Sequence, residues 1–588
     1  MRPARVLAAG FVAAVVVLTV IAVTGGFTVR VGPLQLTAHN WRGPAAVAAL
    51  SLLGTVLLGR AAGAAAFASV WSFIDAHAAA IATVLAAAAG GIGVGFGTYA
   101  ASSSDASGYV SEAALLEHGT LVSHEALALD VTLPTGGWAF SPLGYRPGRA
   151  AGELVPTYPA GLPLLLAPTR RIGGELAAYL VVPALGTLAV WCAYALGVRV
   201  HSRVAGVAAA ALLATSPILL FQIVQPMSDV AATAWWALAL VFALLPVPAA
   251  PMAAGAATGI ALLIRPNLLA LTALPAVAVA WPPTRGQSAR RLVALAAGMT
   301  PALGALLLVQ WRLYESPLVS GYGPGADLFA LANIGPNLLG YAARVVQGEA
   351  PALVLAVVAA ACVLVWRGRD EKPAAARLWP PLVLGTIAAA LTGASYLPYA
   401  VFTEWSYLRF LLPAFPIVFV AIGALVTEAG LRLPAAYRGV VFLTALTAAC
   451  AVNIERAERE QAFNLRRYES RYRLAGRYLD QALPSNAVIV SVQQSGSVRY
   501  YTGRPILRWD ALGTDLESAL TAMRSADRHP FLLVEDWERR NLATKFPASD
   551  HARLDWRPRA EFGDDTRVHL FDPDDRGSNA SWSVDRVH

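Results

Sequence analysis

Long apolar runs, each bounded by charged residues, Pro or Gly, recur along most of the chain and stop near residue 453. Runs of roughly 17 to 25 residues are what a hydrocarbon core about 30 Å thick requires of a helix. About thirteen candidate spans follow, at roughly 6–24, 44–59, 79–98, 176–198, 204–221, 229–245, 251–264, 267–281, 292–311, 351–366, 380–398, 410–427 and 438–452. The short run 251–264 meets 267–281 at Arg265-Pro266. Pro ends the first helix there, so the two form a broken pair or a re-entrant hairpin.

The run at 79–98 is followed at once by SSSDASGYVSEAALLEHG, whose pattern predicts a helix over 106–117 ended by Gly119. Asp105, at its start, reads either as a cap or as an acid placed for chemistry at a membrane exit. Asp105, Tyr109 and Glu112 stand at i, i+4 and i+7, on one helical face that is either solvated or lines a cavity. Residues 99–175 are too many for a structureless connection, so folded elements are expected there. They include Tyr145-Arg146-Pro147 and then VPTYPAGLPLLLAP, where Pro156, Tyr158, Pro159 and Pro163 lead into an apolar stretch too short to cross, read as an interfacial helix.

Further on, QPMSDVAATAWWALAL opens a span with Ser228 and Asp229, and Asp229 is again a cap or a functional acid. Arg265, between two apolar segments, is costly unless it pairs, snorkels or meets a ligand. FTEWSYLRFLLPAFP sets Glu404, Tyr407 and Arg409 at the mouth of a span, where Arg409 either snorkels or pairs with Glu404.

Beyond Asn453 the composition becomes charged, and an amphipathic helix precedes AVIVSV, DLESALTAMRSA, FLLVED and VHLF. That alternation predicts a soluble α/β domain. The expected organisation is two N-terminal spans over 1–78, a membrane core over 79–452 with a large loop at 99–175, and an α/β domain over 453–588.

Of the 588 residues 56% are apolar and 14% charged, where a soluble protein carries about 25% charged, so the class is a polytopic α-helical membrane protein. The first run follows Arg2 and Arg5 without a convincing cleavage site and is read as a retained span with a cytoplasmic N-terminus. The net charge of +8 does not point to nucleic acid, because the cations lie between spans. Arg60, Arg199, Arg203, Arg285, Arg290, Arg291, Arg367, Arg369, Lys372, Arg432 and Arg438 all fall on one side, and the positive-inside rule makes that side cytoplasmic. The loops 99–175 and 312–350 and the C-terminal domain are then outside the plasma membrane.

Cys192, Cys362 and Cys450 lie in apolar runs and read as packing residues. Walker, HExxH, GxSxG and dinucleotide motifs are missing from the sequence, and the nine histidines are scattered, so no metal site is signalled. The sequon Asn579-Ala580-Ser581 is read as chance, and YYTGRP at 500–505 carries no clue to an acceptor.

The acid at 105, Tyr158-Pro159, PMSD at 226–229, IRPN around Arg265 and RFLLPAFP near 409, in that order, resemble the GT-C class of membrane glycosyltransferases. The closest likeness is to bacterial relatives of protein O-mannosyltransferases and aminoarabinose transferases, over about residues 79–430. The resemblance implies transfer of a hexose or pentose from a polyprenyl-phosphate carrier to an acceptor hydroxyl on the outer face of the bilayer, with inversion. It implies Asp105 as general base and Arg265 and Arg409 as phosphate ligands. Tyr109, Glu112, Tyr145, Arg146, Tyr158, Asp229, Glu404 and Tyr407 complete the expected substrate cavity. No cofactor is implied with certainty, a divalent metal is left as an open option, and the acceptor is a lipid, a glycan or a protein. Ala106 departs from the Asp-Glu pair typical of protein O-mannosyltransferases, which weakens a protein acceptor. The alternatives are a transporter or lipid-linked-sugar flippase, which predicts two related halves where the sequence holds no internal repeat, and a non-catalytic envelope scaffold.

Overall fold

A computed structural model describes residues 2–24, 27–31, 34–38, 40, 42–57, 60–134, 136–281, 285–323, 328–365, 371–578 and 582–587. Arg367, Arg369 and the sequon at 579–581 lie outside them.

The N-terminal part runs α1 (Arg2–Thr24), a hairpin of β1 (Phe27–Val31) and β2 (Leu34–Ala38), α2 (Arg42–Leu57), α3 (Arg60–Ala76) and α4 (Ala78–Gly95). Helix α3 was not among the expected spans, since Arg60 and Asp75 interrupt the apolar pattern at its two ends. It packs through Trp71 against Phe442, with ring centroids 5.5 Å apart.

The loop between α4 and α8 is folded, as its length requires. It contains α5 (Ser104–Glu117), β3 (Ser123–His124), α6 (Leu127–Asp130), β4 (Tyr145–Pro147), β5 (Glu153–Pro156) and α7 (Gly161–Tyr179). The strands form an antiparallel sheet in the order β3-β5-β4, with Tyr145 opposite Pro156. The stretch expected to be an interfacial helix falls in α7, on which Ile172 and Leu176 are exposed and which Gly174 breaks at φ 74°.

The bundle continues with α8 (Val181–Val200), α9 (Arg203–Thr215), α10 (Pro217–Ile223), α11 (Ser228–Ala243), α12 (Ala250–Ile264), α13 (Ala273–Ala280), α14 (Arg285–Tyr314), α15 (Ile334–Val365), α16 (Glu371–Tyr396), α17 (Phe415–Arg432) and α18 (Ala435–Arg459). Among the described residues, seven helices are long and apolar enough to cross a membrane, or eight if the bent pair α9–α10 is one span, rather than thirteen. Several other expected spans are shorter apolar helices such as Ser228–Ala243 and Ala250–Ile264. Breaks in the runs account for this. Ser216 caps α10 ahead of Pro217, bending the pair by 58°, and Pro266 separates α12 from α13. Helices α12 and α14 approach at Gly255 and Gly298, where backbone of the facing helix fills the space of a side chain.

After α18 come α19 (Leu465–Ala482), β6 (Ala487–Val490), α20 (Ser495–Thr502), β7 (Ile506–Leu507), α21 (Leu516–Ser525), β8 (His529–Glu535), α22 (Asp536–Lys545), β9 (Ala560–Phe562), β10 (Val568–Phe571) and β11 (Asp585–Val587). The strands make one mixed sheet in the order β11-β9-β10-β8-β6-β7, and β6 pairs in parallel with both β7 and β8. Every residue of β6 is buried: Val488 and Val490 enter one apolar core, Ala487 and Ile489 the other, so both faces are covered.

This C-terminal region is pinned to the loop. Tyr501 Oη accepts from the Ala101 amide at 2.8 Å, Arg499 Nη1 meets Glu125 Oε2 at 2.8 Å, and Arg170 Nη1 donates to Tyr500 Oη at 2.7 Å. YYTGRP is therefore the clasp between the two.

Candidate functional site

A cavity of about 700 Å³ opens where the start of α5, the α10–α11 turn, the end of α12 and the 3-10 helix Trp405–Ala414 converge. Each of these segments is a break in regular structure, and each carries a charged or hydroxyl side chain inward.

Asp105 is in the first turn of α5, after Ser103, which is held at φ +47°. A non-glycine residue there is strained, and such strain collects at functional sites. Asp105 does not cap: its Oδ2 accepts from Arg409 Nη2 at 3.0 Å and its Oδ1 from Tyr158 Oη at 2.7 Å. Tyr158 reaches it because α5 and the sheet meet at Gly108 and Gly144, where an added Cβ on Gly108 would strike the Tyr158 ring.

Asp229 does not cap either. It is fully buried at the start of α11, and its Oδ1 accepts from Arg265 Nη2 at 2.7 Å. Arg265 stands in non-helical backbone between α12 and Pro266, and its remaining donors reach Ser228 Oγ at 3.1 Å and Tyr396 Oη at 2.8 Å. Tyr109 Oη donates to the same Ser228 Oγ at 2.8 Å.

The two acids and two arginines form one chain. Arg265 pairs with Asp229, Asp229 Oδ2 lies 3.9 Å from Arg409 Nη1, and Arg409 pairs with Asp105. Both guanidinium groups stand over the Phe410 ring, at 5.5 Å and 5.3 Å from its centroid, and Arg409 also covers Tyr407 at 5.1 Å. The Asp229 carboxylate between the two cations offsets their repulsion. Arg409 Nε is buried without a hydrogen-bond partner, so this guanidinium has donor capacity to spare.

Burial alone would raise the Asp105 carboxyl. The Arg409 guanidinium, the Tyr158 hydroxyl and Arg265 outweigh it and hold the group below its ordinary value. Burial, reinforced by Asp105, pushes the Tyr158 hydroxyl well up, so it stays a donor. Neither acid of the chain suits a divalent cation, since each already has a guanidinium against it. Among the described residues one further group has metal-like spacing, His529, Asp572 and Asp574 in the C-terminal region, and both of its acids are paired with arginines.

Of the residues singled out from the sequence, Asp105, Tyr109, Tyr158, Arg265, Glu404, Tyr407 and Arg409 line the cavity, and Asp229 backs it. Three do not. Glu112 is buried seven residues beyond Asp105, about 10 Å along the helix, with no partner on either carboxylate oxygen, and burial pushes its carboxyl well above the usual range. Tyr145 is buried in β4. Arg146 braces the chain instead, donating to the Gly321 carbonyl at 3.2 Å and standing over Trp138 and Tyr314. Nor does Glu404 pair with Arg409. It is exposed at the mouth, accepts from Thr403 Oγ1 at 3.1 Å, and its carbonyl holds Arg344.

The sequence did not single out Tyr396, Gln222 or Gln493. Tyr396 lies inside the apolar run 380–398, and Gln493 comes from the C-terminal region.

No model of a known protein family matches the chain, and no curated protein matches it in sequence. Solved structures similar to it include ArnT from Cupriavidus metallidurans bound to undecaprenyl phosphate, at 12% identity and TM-score 0.49, covering 83% of this chain and 97% of that one. The Archaeoglobus fulgidus oligosaccharyltransferase in the apo form is similar at 12% identity and TM-score 0.48, over 86% of this chain and 75% of that one. Archaeal oligosaccharyltransferase AglB from the same organism, in complex with an inhibitory peptide and a dolichol-phosphate, is similar at 14% identity and TM-score 0.46, over 77% of this chain and 69% of that one. The likeness is structural only.

Proposed function

We propose that this protein moves a sugar from a polyprenyl-phosphate donor to an acceptor hydroxyl at the outer face of the plasma membrane, with inversion at the anomeric carbon. The observation that carries the reading is the Asp105–Arg409–Asp229–Arg265 chain at one wall of the cavity, among apolar helices. Buried ionic groups are expensive in such surroundings and are accounted for if a charged substrate passes through them.

In this reading the donor phosphate binds Arg409 and Arg265, whose planar forks suit phosphate oxygens. Its negative charge competes with Asp105 for Arg409. The freed carboxylate takes the proton of the acceptor hydroxyl as the acceptor oxygen attacks the anomeric carbon. The bond from that carbon to the phosphate oxygen breaks, its electron pair stays on the phosphate, and the guanidinium groups stabilise the charge that develops there. Tyr158 keeps the carboxylate aimed while Arg409 changes partner. The C-terminal region from residue 453 is assigned to the same outer side as the loop 99–175 to which it is pinned.

Radiolabelled polyprenyl-phosphate sugars incubated with the purified protein test the reading directly. Consumption of one of them, lost in Asp105→Asn, is expected. No consumption of any, or full activity in the variant, rejects it.

A further inference from the structure

The turn after strand β6 of the C-terminal sheet reaches the cavity. From β6 the chain passes through α20 to β7 on one side, then through α21 to β8 on the other side of β6, giving the neighbour order β7-β6-β8. The three strands are parallel, so β6 is the point where the winding reverses. In open α/β sheets a crevice opens at the carboxyl ends of the strands at such a point, and that is where ligands bind.

Here that point is closed: Val490, at the end of β6, and Glu535, at the end of β8, are both buried, and the turn that follows β6 uses its charges internally. Glu535 Oε1 accepts from Gln494 Nε2 at 2.6 Å and from Arg471 Nε at 3.1 Å, and its Oε2 accepts from Trp537 Nε1 at 2.8 Å. Glu538 accepts from the amides of Gln493 at 3.1 Å and Glu535 at 3.0 Å. These buried groups fix the turn after β6, and one residue from it lines the cavity, Gln493. Its amide nitrogen donates to Tyr472 Oη at 2.8 Å, which orients the group, and Gln493 is only partly buried.

Resting on the transfer reaction proposed above, we infer that the turn after β6 forms the acceptor side of the cavity, with Gln493 as the residue that positions a neutral, hydroxyl-bearing acceptor. A carboxamide donates to and accepts from hydroxyls and brings no charge. Gln493 gives an anionic acceptor no charge to pair with, and the Glu535 and Glu538 carboxylates behind it disfavour one.

The test compares wild type and Gln493→Ala, full length in detergent, with the polyprenyl-phosphate sugar that the wild type consumes. The acceptor probes are glycerol, n-octyl β-glucopyranoside and glycerol 3-phosphate. Wild type should prefer the two neutral alcohols. Gln493→Ala should raise their KM about three- to tenfold, the worth of one neutral hydrogen bond, while the donor KM stays within about twofold. An unchanged acceptor KM, equal losses for donor and acceptor, or preference for glycerol 3-phosphate overturns the inference alone. A wild type that consumes no polyprenyl-phosphate sugar rejects the transfer reaction, and this inference with it.

Discussion

The Asp105 carboxylate accepts a 3.0 Å hydrogen bond from Arg409, 304 positions away in the chain. The pair joins a strained helix start in a loop to a 3-10 segment at the end of a membrane helix. While they are paired, each group restrains the other. The cation lowers the basicity of the acid, and the acid occupies a donor that a phosphate would use.

The removal of the negative charge at 105 separates these roles. Asp105→Asn should lower sugar transfer about 10²- to 10⁴-fold, the usual worth of a general base, while donor binding is kept or tightened because Arg409 loses its competitor. Single-turnover release of polyprenyl phosphate measures the first, and binding of labelled donor the second. Donor binding lost together with turnover would make Asp105 a structural partner of Arg409 and nothing more.

Because Arg409 holds the Asp105 carboxyl down in the free protein, the acid limb of kcat/KM should lie below the ordinary aspartate range. With donor bound, Arg409 faces phosphate and the carboxyl gains a negative neighbour, so the acid limb of kcat should sit at higher pH. Limbs that coincide would mean that the phosphate does not displace Asp105. The sign for stability follows from the same shift. The native carboxyl is depressed, so the contribution of the pair is complete above the ordinary aspartate range and is lost as pH falls through the native value. Thermal unfolding of wild type should therefore respond more steeply to acid than that of Asp105→Asn.

The sequence made some of this chain of charges legible and hid the rest for physical reasons. Asp105, Asp229, Arg265 and Arg409 stand out because ionic groups beside apolar runs are costly, and that cost is local. Their pairing is not local: Arg409 has Glu404 five positions away, yet bonds an acid three hundred away, since Glu404 is exposed at the mouth. Glu112 shares a helical face with Asp105, but the cavity ends before its turn of the helix, a length that periodicity does not encode. Helix α3 was hidden by the charges at its ends. Gln493 was out of reach, because an uncharged polar residue in a soluble region has no pattern to set it apart.

Arg265 makes three hydrogen bonds in three directions, to Asp229, Ser228 and Tyr396. Lysine offers a point charge without that fork. Arg265→Lys should raise the donor KM and lower Tm modestly. Arg265→Ala leaves the Asp229 carboxylate buried with only Arg409 nearby at 3.9 Å, a loss of about 3–5 kcal/mol. Thermal unfolding in detergent ranks the three proteins. Equal Tm for wild type and Arg265→Ala would mean that the Asp229–Arg265 pair contributes nothing to stability.

Gly496 in α20 meets α5 two residues beyond Asp105. An added Cβ would fall 2.6 Å from the Leu143 carbonyl oxygen and strike Ser107 Oγ. The neighbouring Ser495 Oγ accepts from the Leu143 amide at 3.0 Å, so neither side can retreat without losing a partly buried bond. Gly496→Val should therefore cost about 1–3 kcal/mol of stability by overpacking. It should also lower kcat more than it raises the donor KM, because the strain pushes on the turn that aims Asp105 while Arg265 is held by other helices. Gly496→Ala should act in the same direction and more weakly. Ser107→Ala removes one of the two colliding atoms, so Gly496→Ala in that background should cost less than in wild type. The double-mutant cycle in Tm reads this coupling. Strict additivity would show that the C-terminal region does not bear on the start of α5.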